Sequence, residues 1–276
     1  DVATLRAADA ISGNVTSMPD GVAFAPGTVG GVPGQWVTPD GAVGGRTLLY
    51  LHGGGYVVGS SDTHGKMVGH LAKAASMRAF VADYRLAPEH PHPAALDDAL
   101  AAYRALLADG VDPRRLVLAG DSAGGGLVVA LMVAVRDAGL PQPAAAIGFS
   151  PWVDLSGSGD TMQSRAHVDL MVTKDLLLMM AGHYLAGADA RTPTASPLFG
   201  SLQGLAPMLV QVGDEETLLA DSTRLVDKLR AAGVETTLEV FPEMQHVFQM
   251  AAGLLPESDD AIAKAGAYAA ARSSAR

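Results

Sequence analysis

The chain has 276 residues, 49% hydrophobic and 17% charged, with a net charge of −10 and no cysteine. This balance supports a sizeable core and excludes global disorder, and the acidic charge argues against nucleic acid, which needs clustered Lys and Arg. The missing thiols exclude disulfides, thiolate metal sites and a cysteine nucleophile.

In chain order, residues 1 to about 40 are rich in Gly, Pro, Ala and Thr and predict a weak helix at most, with an edge strand around 35–38. Apolar runs at 47–51, 79–82, 116–119, 145–149, 208–212 and 237–241 read as strands. Helical patterns lie between them near 63–76, 94–108, 123–138, 218–232 and 257–271. In the fourth of these, Leu218, Ser222, Leu225 and Leu229 share a face, and Gly233 stands where a helix stop is expected. Such alternation implies a single α/β domain over 1–276, a mostly parallel sheet with helices on both faces. Residues 154–196 break the pattern with a polar loop and a Met-bearing helix at 174–185. Together with residues 1–30 they are expected to form a helical cap over the strand ends, where open α/β sheets place their sites. The longest apolar run, 127–135, is far short of the roughly 20 residues that span a bilayer, and no signal pattern opens the chain. A soluble, cytoplasmic protein with no membrane span is expected.

Gly120-Asp121-Ser122-Ala123-Gly124 lies between an apolar strand and a small-residue helix. G-x-S-x-G has a mechanical reason: the serine sits on a strained turn, and small residues on either side let strand and helix approach. In a chain with 32 glycines the pattern is weak alone; its placement makes Ser122 the candidate nucleophile rather than part of an ordinary turn. His52-Gly53-Gly54-Gly55 ends another strand. Three successive glycines cost folding entropy, and they let backbone N–H groups approach a developing oxyanion. A phosphate cradle is the rival, but neither a P-loop Lys-Ser/Thr nor a dinucleotide fingerprint follows.

HGGGY at 52–56, DYRLAPEHPHPAALDDA at 83–99 and GDSAGGG at 120–126 resemble the hormone-sensitive-lipase-like esterases, bacterial family IV. The likeness runs from about Gln35 to at least Phe248, with three linked motifs in the family's order. It implies an α/β-hydrolase fold with a cap, hydrolysis of short-chain carboxylic esters, and a homodimer. It further implies oxyanion donors at the N–H groups of Gly54, Gly55 and Ala123, with Gly53 shaping the loop and His52 serving as scaffold. The segment before HGGG is shorter than the family usually carries, so the N-terminal part of the cap is expected to be incomplete.

Eight histidines compete for the role of base. His64 and His70 fall on a helix, His90 and His92 in a proline-rich loop, and His167 and His183 in the insertion; a metal site at His90-Pro91-His92 lacks partners at ligand spacing. His246 follows the last strand and completes the order Ser, acid, His of α/β-hydrolases. The acid then comes from Asp214-Glu215-Glu216, after the penultimate strand. The family's Gly-x-Asp, counted from Gly213, selects Glu215, a glutamate where aspartate is commoner. An Asp-x-Leu register read back from Leu218 selects Glu216 instead; Asp214 sits close to the strand end and Asp221 a turn into the helix. Acids left over complement the helix dipole. Asp83, Arg85 and Glu89 are read as fixing the loop behind the oxyanion strand, Met162, Met171, Met179 and Met180 as cap packing or an adaptable acyl pocket, and Trp152 as pocket wall or cap anchor.

The sequence therefore predicts a serine carboxylesterase acting on a small-molecule ester through Ser122, His246 and Glu215, with no cofactor and no metal. An amidase or peptidase with the same triad, or a non-catalytic small-molecule binder on this fold, are the alternatives.

Overall fold

The structure, a computed structural model, describes residues 1–274. The chain forms α1 (Val2–Asp9), a 3-10 turn (Ser12–Val15), β1 (Val22–Val29), β2 (Val32–Pro39), β3 (Thr47–Leu51), α2 (Ser61–Ala75), β4 (Arg78–Ala82) and α3 (Ala94–Ala108). It continues with β5 (Leu116–Asp121), α4 (Ser122–Asp137), β6 (Ala145–Phe149), the single turn α5 (Thr161–Ser164), α6 (Lys174–Leu185), β7 (Met208–Gly213), α7 (Leu219–Ala231), β8 (Thr236–Phe241) and α8 (Pro256–Arg272).

Eight strands make one sheet in the order β1-β2-β4-β3-β5-β6-β7-β8. β2 runs antiparallel to β1 and β4; all other pairs are parallel. The apolar runs of β3, β5, β6 and β7 are buried along their whole length, as strands covered on both faces must be. α2 and α8 pack Met67, Leu71, Ile262 and Ala265 on one face. α3, α4 and α7 pack Leu96, Leu127 and Leu225 on the other. Among the described residues no helix is long and apolar enough to cross a membrane.

The N-terminal region differs from expectation. Residues 22–29, read from sequence with the cap, form the edge strand β1 instead, hairpinned to β2 through Gly30-Gly31. Both glycines have positive φ, 61° and 81°, which a two-residue turn matching the sheet twist demands. Pro26 and Gly27 hid the strand in the sequence; a proline is tolerated because β1 has a free edge. Only α1 and the 3-10 turn stay outside the sheet. α1 buries no residue of its own fully. Val2 and Leu5 pack partly buried against the core, Arg6 donates to the carbonyls of Val57 and Ala87 at 3.0 Å each and pairs with Glu89 at 2.7 Å, and Asp9 accepts from the Gly59 N–H at 3.0 Å.

The sheet places the site by its topology. From β3 the chain steps to β4 on one side, and β5 then enters on the other, so the connections diverge between β3 and β5. The crevice at such a switch point lies beyond the carboxyl ends of the strands. Here those ends carry His52-Gly53-Gly54-Gly55 and Ser122.

α4 comes so close to β3 that a Cβ on Gly124 would overlap the carbonyl oxygens of Leu51 and His52, whereas one on Gly182 in α6 would meet nothing within 4 Å. We expect Gly124→Ala to destabilise by about 1–3 kcal/mol or more through overpacking, and Gly182→Ala to stabilise by about 0.5–1 kcal/mol through helix propensity. Thermal melts of the two variants check both signs.

Candidate active site

Ser122 stands at the junction of β5 and α4 with φ +51°, a left-handed conformation that a non-glycine residue adopts at a cost. The turn needs room on both sides. Cβ atoms at Gly120 and Gly124 would both collide with the Leu51 carbonyl, which is why small residues flank the serine. The side chain that results is nearly buried and faces His246, with Oγ 3.0 Å from Nε2.

His246 lies in the loop after β8. Its Nδ1 is 2.8 Å from Oε2 of Glu216, a carboxylate with no solvent exposure. The other oxygen, Oε1, accepts hydrogen bonds from the Gly213 N–H and the Ser150 hydroxyl, both at 2.7 Å. Burial alone would lower the His246 pKa. The hydrogen bond and charge of Glu216, with smaller contributions from Asp169 and Asp121, more than offset it and hold the imidazole above its ordinary 6.5.

The carboxylate that meets the imidazole is that of Glu216, one residue beyond the Glu215 that the count from Gly213 selects. Glu215 turns away from the imidazole and accepts from Gln245 Nε2 at 3.3 Å. Glu216 doubles back, because its side chain caps the free N–H of Gly213 at the end of β7. That fold-back aims the carboxylate under His246, where the extra methylene of glutamate covers the added residue of loop. The other acids have separate partners. Asp214 accepts from the Glu243 N–H at 2.7 Å. Asp221 accepts from the Val153 and Asp154 N–H groups at 2.9 Å each, and burial, with Asp154 nearby, pushes its pKa up to about 7.

Across the crevice, Gly54 and Gly55 have φ +102° and +61° and line the same pocket as Ser122 and His246. Side chains would not fit: a Cβ on Gly54 would overlap the Val58 carbonyl, and one on Gly55 the sulfur of Met180. Ala123 follows Ser122 in the first turn of α4, where backbone N–H groups have no intrahelical partner. His52 is buried, stacked on Tyr84 with centroids 4.3 Å apart, and its Nδ1 lies 2.7 Å from the Gly53 carbonyl. Burial, with His64 nearby, lowers its pKa to about 3, so it is a neutral scaffold residue.

One arrangement around this loop had no sequence signal. Asp121 accepts from the Tyr50 hydroxyl at 2.7 Å and the Gly53 N–H at 3.0 Å, with His64 Nε2 3.3 Å from its other oxygen. The residue before the nucleophile thereby ties down the glycine loop. His64 appeared as one of two histidines on a helix, and only the fold turns it toward Asp121. Asp83 fixes α2 by accepting from the Ser61 N–H and hydroxyl, while Arg85 pairs with Asp98.

The pocket over Ser122 has a volume of about 270 Å³. Its far wall comes from Val172, Leu177 and Met180 of the insertion and from Asp9 and Val15 near the N-terminus. Met171 also reaches it, Met162 is buried in the core, and Met179 is surface-exposed. Trp152 is buried at the insertion's root, donating from Nε1 to the Asp154 carbonyl.

Residues 48–250 match the model of a family described as having the alpha/beta hydrolase fold. An acetyl-hydrolase of Streptomyces hygroscopicus is 47% identical over 241 residues, covering 87% of this chain and 80% of that protein. An esterase from the bacterial hormone-sensitive lipase family superposes with a TM-score of 0.97 at 45% identity, covering 99% of this chain and 92% of that one. The chain belongs to the α/β-hydrolase-fold family, among the hormone-sensitive-lipase-like carboxylesterases. An ethyl acetate hydrolase of Pseudomonas putida is a further relative, 35% identical over 231 residues, 81% of this chain and 72% of that one. Family membership makes this chain a carboxylic ester hydrolase, and the fold expected from sequence is the one observed.

Burial would raise the Asp121 pKa, but His64, then Tyr50 and His52, hold it below 3.8. A carboxylate depressed on folding adds stability above its unfolded pKa and loses it as pH falls through the folded value. We expect Asp121→Ala to cost about 3–5 kcal/mol at pH 7, the usual penalty for breaking a buried pair. Melts from pH 7 down to pH 3 should show the gap to wild type narrowing as acid protonates Asp121.

Proposed function

We propose that this esterase hydrolyses short-chain carboxylic esters through a Ser122–His246–Glu216 triad and an acyl-enzyme. The observation that carries the reading is the unbroken chain of contacts from Ser122 Oγ to His246 Nε2, 3.0 Å, and from His246 Nδ1 to Glu216, 2.8 Å. The neutral imidazole takes the Ser122 proton through Nε2 as Oγ attacks the ester carbonyl. Glu216 keeps Nδ1 protonated and stabilises the imidazolium that forms.

Negative charge then develops on the carbonyl oxygen, on the side of the pocket lined by Gly54 and Gly55. We assign the oxyanion to the N–H groups of Gly54, Gly55 and Ala123, aided by the positive end of α4. His246 returns its proton to the departing alcohol. A water molecule, activated by the same base, releases the acid and restores Ser122. α1, the 3-10 turn after it and residues 154–196 act as the cap that shapes the pocket. A volume of about 270 Å³ supports small acyl and alcohol groups, as does the ethyl acetate hydrolase among the relatives.

Hydrolysis of p-nitrophenyl butyrate by folded variants tests the assignment. We expect Ser122→Ala and Glu216→Gln to lose on the order of 10³-fold or more in kcat, and Glu215→Gln to stay within a few-fold of wild type. A dead Glu215→Gln with an active Glu216→Gln would refute the acid.

The pH profile follows from the raised His246 pKa. The base works only when neutral, so kcat/KM should climb with pH and reach half its plateau above 6.5. A midpoint below 6.5, measured by pH-stat titration of ethyl acetate hydrolysis, would contradict this.

A further inference from the structure

We propose that Ser150 is a positioning residue of this site, its hydroxyl holding the Glu216 carboxylate in the one orientation that serves His246. The proposal rests on the triad reading above and adds the group that makes a glutamate work there. Ser150 is the residue immediately after β6, between the strand that carries the nucleophile and the strand that carries the acid. It is fully buried, with φ +46°. Its backbone N–H donates to the Gln211 carbonyl at 2.7 Å, which fixes the residue to β7.

The hydroxyl has two neighbours. Its oxygen accepts the N–H of Val247, the residue after the histidine, at 3.2 Å. Its single proton is then directed at Glu216 Oε1, 2.7 Å away. One oxygen atom therefore joins the acid to the histidine loop.

The need for such a group follows from side-chain geometry. A glutamate has one more rotatable bond than an aspartate, and its terminal torsion is broad and two-fold. Without anchors, Oε1 and Oε2 would exchange places or rotate away from Nδ1. Gly213 N–H supplies one anchor and the Ser150 hydroxyl the second, both on Oε1, which leaves Oε2 for the imidazole. The left-handed backbone at Ser150 carries strain that a glycine would relieve. A serine in that conformation is accounted for by its hydroxyl.

Removing the hydroxyl has a definite sign. A carboxylate that has turned from Nδ1 stabilises the imidazolium less, so His246 gives up its proton at lower pH. The other charged groups that influence His246 are Asp169 and Asp121. Asp169 is bound by the Thr217 N–H and hydroxyl, Asp121 by Tyr50, Gly53 and His64, and neither touches Ser150.

The experiment measures kcat, KM and the acid limb of the pH–rate profile for wild type, Ser150→Ala, Ser150→Gly, Glu216→Gln and the double variant Ser150→Ala/Glu216→Gln. Ser150→Gly removes the hydroxyl while relieving the backbone, so it keeps the test valid if the alanine variant folds poorly. We expect both single Ser150 variants to lose on the order of 10- to 100-fold in kcat, as for one hydrogen bond to a charged group. KM should stay near wild type, and the acid limb should move to lower pH. In the Glu216→Gln background the serine substitution should add little, because the hydroxyl acts through the carboxylate. Wild-type kcat and an unmoved limb in Ser150→Gly would overturn the proposal. So would an equal loss in both backgrounds with the limb in place, which marks a packing role. An active Glu216→Gln would instead bring down the triad reading itself.

Discussion

The contact between α4 and β3 is the constraint on which the site depends. Gly120 and Gly124 bring the nucleophile turn against the Leu51 carbonyl with no room for a methyl group. That approach places Ser122 at the mouth of the crevice between β3 and β5, beside the glycine loop that ends β3. Asp121 then closes the same gap from the other side by binding the Gly53 N–H. Nucleophile and glycine loop are thus parts of one rigid junction. In the proposed mechanism, preorganisation of this kind lets backbone dipoles stabilise charge without rearranging during the reaction.

The acid-rich turn after β7 shows how a cluster of like charges is shared out. Each carboxylate finds donors: Asp214 takes the Glu243 N–H, Asp221 the Val153 and Asp154 N–H groups at the root of the insertion, and Glu216 the Gly213 N–H and Ser150. Only Glu216 presents its remaining oxygen to a histidine. The others knit the loop to the strand after it and to the root of the insertion. Negative charge at the start of α7 is also compatible with the helix dipole.

Much of this architecture was legible in the chain. The buried strands are continuous apolar runs with helical periods between them, and the serine and glycine motifs sit at strand ends, where their small residues have a mechanical explanation. Chain order singled out His246, the histidine whose Nε2 lies 3.0 Å from Ser122 Oγ. β2 was read in part, as an edge strand around 35–38, but β1 was missed because Pro26 and Gly27 read as loop, and an edge strand tolerates both. A count from Gly213 points to Glu215 because it assumes an extended turn, whereas it is the Glu216 side chain that folds back onto the backbone and meets His246. The roles of His64 and Ser150 had no local signature. Their partners lie 57 and 66 residues away in the chain, at Asp121 and Glu216.

The attachment of α1 has a consequence for how the two sides of the pocket differ. The helix buries none of its own residues fully: Val2 and Leu5 pack partly buried against the core, the Arg6 guanidinium reaches two carbonyls and one exposed carboxylate, and Asp9 accepts from the Gly59 N–H. Elements secured by polar contacts near solvent open at far lower free energy than a packed core, and ionic strength weakens such a hold further. One wall of the pocket, with Asp9, therefore belongs to an element with no fully buried residue, while Ser122 and Glu216 are buried. The entrance is thus framed by an element that opens at lower free energy than the packed floor beneath it.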